Sequence, residues 1–185
     1  MCSSLSSVNL PNVTSIGTDA FERSGVITVT LNPSLSSLPN YCFWSCSSLT
    51  SINLDNISTL GNSCFTYCNA LTLVTLNSAL TSIPLACFSG THLDSVEIPP
   101  SVTLVASSAF NTSTLKTLTI YDTNTITTSG NAFPTNMTDI YYRGAQGKTA
   151  SDLETEYNTR YGSNNYLKPT TSRTVHYVPY EDWNV

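Results

Sequence analysis

Cysteine is the residue type whose spacing in this chain most invites chemistry. Cys42, Cys46, Cys64 and Cys68 form C-x3-C-x17-C-x3-C, within the spacing of structural zinc sites, where four thiolates hold a tetrahedral metal. The even total of six also admits disulfides, provided the chain is secreted. Neighbouring positions support a third reading. Cys42, Cys64 and Cys87 each precede a phenylalanine, where other copies carry Ala20, Ala109 and Ala132. Cys46 and Cys68 stand three residues after one, with Cys2 aligned to them, where Ser24 and Ser113 also occur. Exchange with Ala and Ser marks small, buried sites, and a free cysteine packs as a small apolar residue. Rungs about 4.8 Å apart are also wide for a bridge that prefers Cβ atoms about 3.8 Å apart. Other catalytic material is sparse. His92 and His176 are the only histidines, and neither has a Ser or Cys with an acidic partner at a known spacing. Glycine-rich phosphate loops and EF-hand patterns do not occur. The expectation is a protein that is not an enzyme and takes no cofactor or metal.

Composition narrows the partners. Ser and Thr make up 55 of 185 residues, whereas only 10% are charged, so the surface hydrogen-bonds water without strong fields. The net charge of −5, with no Lys/Arg cluster, argues against nucleic acid. No apolar run reaches the ~20 residues that span a bilayer, and no signal peptide opens the chain, so no membrane insertion is expected. Sequons at Asn12, Asn56, Asn111 and Asn136 are no more than this Asn- and Ser/Thr-rich composition gives by chance. Charge is uneven: 8 charged residues lie in 1–133 and 11 in 134–185, which marks a different terminal segment.

The cysteines are positioned by a repeat. All six phenylalanines, at 21, 43, 65, 88, 110 and 133, are spaced by 22 or 23 residues. Such a period is that of a solenoid, whose coils bury their apolar faces only against each other. With it runs L-x2-V-x-L, as in Leu49-Ile52-Leu54, Leu71-Val74-Leu76 and Leu115-Leu118-Ile120, ending in a worn copy at Met137-Ile140-Tyr142. Alternation such as Ser51-Ile52-Asn53-Leu54 predicts one short strand per coil, stacked into a parallel sheet. The second half of each coil, as in Ile57-Leu60-Cys64-Phe65, leaves room for one helical turn at most. It predicts an irregular or 3₁₀ convex side with Phe as the core wedge.

Phe43-Trp44-Ser45-Cys46-Ser47-Ser48-Leu49-Thr50-Ser51-Ile52-Asn53-Leu54, with Ile16-Gly17-Thr18-Asp19-Ala20-Phe21, resembles the leucine-rich repeat of the BspA-like (Treponema pallidum type) family. Gly25, Gly90 and Thr128 depart from the consensus. The resemblance implies a leucine-rich repeat solenoid over residues 1–145, about seven coils with the first truncated. It also implies an extracellular or cell-surface location and adhesion to a protein or glycan on a host or neighbouring cell. In such arrays the exposed strand face is the usual binding surface, because a rigid scaffold holds many side chains at fixed spacing. The candidates on it are Asn53, Asp55, Thr75, Asn77, Glu97, Thr119, Tyr121, Tyr141 and Arg143. Tyr121, Tyr141 and Arg143 cluster at its C-terminal end, and Tyr and Arg are enriched at binding hot spots. The same rows also fit solvated strand residues and Asn ladders.

Residues 146–185 are expected to form a small α/β cap. Ser151-Asp152-Leu153-Glu154 reads as a capping box opening a helix over 151–161, with Leu153, Tyr157 and Tyr161 as its apolar stripe. Thr174–Val178 reads as a closing strand, and the ending Tyr180-Glu181-Asp182-Trp183-Asn184 as a tail. Met1–Leu5 aligns with the middle of a repeat, which points to an open coil that docks on more repeats or another subunit. Two other functions fit: a structural spacer in a larger surface or virion protein, and, from Thr28-Val29-Thr30 and Thr117-Leu118-Thr119, ice binding.

Overall fold

The computed structural model describes residues 5–111, 114–162 and 167–180. Cys2 and the mid-repeat start, Thr112 and Ser113 of one sequon, loop residues 163–166 and the ending 181–185 lie outside these. The chain is a stack of laps built from strands β1 (Ser7–Asn9), β2 (Thr28–Thr30), β3 (Ser37–Leu38), β4 (Ser51–Asn53), β5 (Thr59–Leu60), β6 (Leu73–Thr75), β7 (Ser82–Ile83), β8 (Ser95–Glu97), β9 (Leu104–Val105), β10 (Thr117–Tyr121), β11 (Thr127–Thr128) and β12 (Asp139–Arg143). Helix α1 (Ala150–Tyr161) and strand β13 (Thr174–Val178) complete it. Coil 1 holds β1, coil 2 holds β2 and β3, and so on to coil 7 with β12.

The concave face is the predicted parallel sheet, in two runs: β1-β2-β4-β6 and β8-β10-β12-β13. Its strands pair as the repeat dictates, with Val29 opposite Ile52 and Leu118 opposite Ile140. Coils 2 to 6 each add a second, two-residue strand absent from the sequence reading, forming the ladders β3-β5 and β7-β9-β11. Two residues cannot show alternation, so these strands, such as Thr59-Leu60, carry no periodic signal.

The convex side is irregular, and within the described array it holds turns rather than 3₁₀ helix. Its order comes from a third ladder centred on Phe. Tyr41, Phe43 and Ser45 donate their N–H groups to Asn62, Cys64 and Thr66 carbonyls of the next coil at 3.0, 2.9 and 2.7 Å. The same three positions do so from coil 3 to coil 4 and from coil 4 to coil 5. Turning alternate N–H groups the same way requires left-handed backbone two residues before and after each Phe. Asp19, Tyr41, Ser63, Ala86 and Ser108 supply it on one side, with Gly130 three residues before Phe133; Arg23, Ser45, Tyr67 and Gly90 supply it on the other.

Inside, the rings stack in one column. Successive centroids from Phe21 to Phe133 lie 5.1, 5.5, 5.4, 5.3 and 5.5 Å apart, with planes within 8°. Phe43 to Phe133 are buried, while Phe21 in the first coil is partly exposed. Offset stacking adds about 0.5–1.5 kcal/mol per pair to the area buried.

The cap covers the other end. Leu153, Tyr157 and Tyr161 are buried as expected, and β13 extends the concave sheet in parallel beside β12. The helix start is corrected by two residues: Thr149, not Ser151, is the N-cap. Its side chain accepts from the Asp152 N–H, and the Asp152 carboxylate accepts from the Thr149 N–H at 2.9 Å. Threonine followed three residues later by a short acid completes the box two residues before the Ser-Glu pair.

Candidate binding face

The described cysteines occupy the column beside the rings and are free, buried thiols. Cys46 and Cys68 donate Sγ–H to the Phe21 and Phe43 carbonyls of the preceding coil at 2.9 and 3.1 Å. That bond explains the exchange with serine, since both side chains offer one short donor. Burial pushes the Cys46, Cys64, Cys68 and Cys87 thiols up, keeping them protonated at neutral pH. Among the described residues no group of three His, Cys, Asp or Glu side chains could hold a metal. No described helix is long and apolar enough to cross a membrane.

Chemistry that faces solvent lies on the concave strands, where strand parity sends alternate residues outward. Glu97, Thr119, Tyr141 and His176 form one cross-strand row over β8, β10, β12 and β13. Tyr121 stands opposite Arg143 in the next row. Tyr121 Oη donates to Glu97 Oε1, and Arg143 Nη1 lies 3.9 Å from Glu97 Oε2. Burial raises the Tyr121 pKa first, and the Glu97 contact adds to it. Beside this group the Tyr141 and His176 rings stack at 4.5 Å and 12°, and His176 Nε2 lies 2.7 Å from Asp139 Oδ1. That contact, with Thr138, holds the Asp139 carboxyl below its usual value. Glu97 faces Arg143 and Asp139 faces His176, so the patch is polar and aromatic.

The structure therefore brings together Glu97, Thr119, Tyr121, Tyr141 and Arg143. The other four candidates sit apart on β4, β6 and their loops. Asn53 and Thr75 are directly opposed. Asn53, Asp55 and Asn77 also have structural work. Asn53 Oδ1 accepts the Asp55 N–H at 2.7 Å, Asn77 Oδ1 accepts the Ala79 N–H at 2.6 Å, and Asn77 Nδ2 donates to the Asp55 carbonyl of the coil before. These are Asx turns that end each strand. His176 and Asp139 were not among the candidates. The signal was present: the Val175-His176-Tyr177 alternation, set parallel to Ile140-Tyr141-Tyr142, places His176 on the Tyr141 face.

Laps of this length, with a lone concave strand row and a Phe column, define a leucine-rich repeat solenoid. Six copies of the BspA-type leucine-rich repeat region match over residues 1–116 and 59–145, and the chain belongs to that family. No curated protein matches it. Among solved structures, a leucine-rich repeat protein from Eubacterium ventriosum is similar at 22% identity and a TM-score of 0.54, over 74% of this chain and 37% of that one. A leucine-rich cell surface protein from Faecalibacterium prausnitzii gives 20% and 0.47, over 75% of this chain and 42% of its own. A leucine-rich repeat protein from Bacteroides ovatus gives 15% and 0.45, over 96% and 63%. The chain thus spans between about a third and two thirds of the length of these proteins.

Proposed function

We propose that this chain is a non-catalytic, cell-surface binding module that recognises a protein or glycan through the C-terminal half of its concave face. The observation that carries the reading is the grouping of Glu97, Thr119, Tyr121, Tyr141 and Arg143, with His176, on four consecutive strands. A rigid, mutually bonded aromatic and Arg group loses little side-chain entropy on binding. Family membership and the neighbour described as a cell surface protein support the location. Ice binding loses ground, because Leu73, 61% exposed, interrupts the outward Thr/Ser row.

The test is attachment of the protein to arrayed matrix proteins and glycans, with Tyr121, Tyr141 and Arg143 replaced by Ala. Removal of a hot-spot group should weaken binding by about tenfold or more. Unchanged attachment would move the function to another face or leave the chain a spacer.

A further inference from the structure

We propose that coil 4 is a hinge at which the concave face changes curvature, dividing it into two rigid halves. Three observations carry it. First, the concave sheet is interrupted between β6 and β8: among the described residues no backbone hydrogen bond joins them. At the next junction Lys116 N–H reaches the Asp94 carbonyl at 2.9 Å, and at the preceding one Thr72 N–H reaches the Thr50 carbonyl at 3.4 Å. The equivalent donor at the open seam, Asp94, makes no such bond. A half-open cleft of ≈ 360 Å³ lies there, walled by Leu73, Thr75, Ser95, Glu97, Pro99 and Pro100.

Second, the smaller ladder is interrupted on the other side of the same coil, between β5 and β7. Coil 4 runs one residue longer than coil 3 between its two strands, Leu76 to Ile83 against Leu54 to Leu60. Coil 4 is therefore tied to coil 3 by the concave sheet and to coil 5 by the smaller ladder. Third, the convex ladder and the Phe column pass through both junctions unbroken. They form the pivot. The sequence cause at the seam is Pro99. Asn77 brackets coil 4 to the Asp55 carbonyl, but Pro99, in the same repeat position, has neither N–H nor side-chain donor to bracket coil 5 to coil 4.

Opening and closing this seam moves Asn53 and Thr75 relative to Glu97, Tyr121, Tyr141 and Arg143 as two groups. The hinge stands whether or not those groups bind the proposed partner. Paired spin labels test it on the intact chain, because one outward row offers matched positions. Ser51→Cys with Thr117→Cys spans three coil steps across the seam; Ser95→Cys with Thr174→Cys spans three steps within one half. The native described thiols are buried and do not take the label, and Cys2 is replaced by Ser in both pairs. The distance distribution across the seam should be the broader of the two. In the unlabelled protein, the Asp94 amide should exchange about tenfold or more faster than those of Lys116 and Thr138. Equal widths, or equal protection of the three amides, would overturn the hinge.

Discussion

At the scale of the residue, the repeat is built on small groups whose roles differ from their usual chemistry. The thiols are hydrogen-bond donors inside a packed column. The hydroxyls that dominate the composition act as brackets: Ser58 Oγ donates to the Ser36 carbonyl at 3.3 Å, Ser101 Oγ to Leu80 at 2.6 Å and Thr114 Oγ1 to Leu93 at 2.9 Å, each one coil back. Left-handed backbone is the less visible requirement. It costs a non-glycine residue roughly 1–2 kcal/mol, and eight such residues among those described carry it. Two neighbouring alanines therefore respond oppositely to glycine. Ala86→Gly relieves a φ of +52° and should raise stability by up to about 1 kcal/mol in urea melts. Ala109→Gly, buried and without positive φ, should lower it by about 1 kcal/mol. Destabilisation by both would show that the left-handed turns are not an intrinsic feature of the native coil.

Among the elements, the cap is held by charge as well as by tyrosine. Lys148 Nζ lies 2.7 Å from Asp122 Oδ2 and 2.5 Å from Glu156 Oε2, and Asp122 is buried under it. Arg160 joins Glu156 at 2.6 Å and reaches the Asp122 and Asn124 carbonyls of coil 6. Asp122→Ala removes an acceptor of both Lys148 and the Ala145 N–H, and should cost about 2 kcal/mol, read as a fall in urea midpoint. Asp122, then Glu156, raises the Lys148 pKa above its ordinary 10.5. A raised base stabilises fully below its unfolded value and loses that contribution as pH rises through the folded one. The cap should thus weaken above about pH 10.5, and Lys148→Met should shrink that alkaline limb, the remainder coming from the Tyr142, Tyr157 and Tyr161 phenols that burial holds neutral. An alkaline limb unchanged in the variant would assign it elsewhere.

The same scale shows where sequence reading runs out. Leu153, Tyr157 and Tyr161 announce the helix by their spacing, yet its first residue depends on which of two adjacent capping boxes forms. Strand parity is strong in Thr117–Tyr121, and it ranked Tyr121, Tyr141 and Arg143 together. It turns His176 to the same side as Tyr141 only once Thr174–Val178 is set parallel to β12, and the choice of that neighbour is what the strand's own residues leave open. Nor could it show that Asn77 closes a turn, since an Asn after a strand fits both a ligand contact and an Asx bracket. The two-residue strands such as Ser37-Leu38 and the left-handed positions leave no pattern at all: Tyr41, Ser63 and Ala86 share a conformation but no chemistry.

For the whole molecule, a solenoid has no long-range closure, so each lap should be a removable unit. The most direct measurement of the account is a pair of deletions followed by circular dichroism and thermal melting. Removing residues 44–65 takes out one full lap and sets Phe43 where Phe65 stood, against the ring of Phe88. That chain should keep parallel-sheet structure and melt cooperatively. Removing residues 44–54 takes out half a lap, turns the Phe column out of register and should abolish the cooperative melt. A full-lap deletion that unfolds like the half-lap one, or a half-lap deletion that folds as well, would contradict the stack of laps and the binding face it carries.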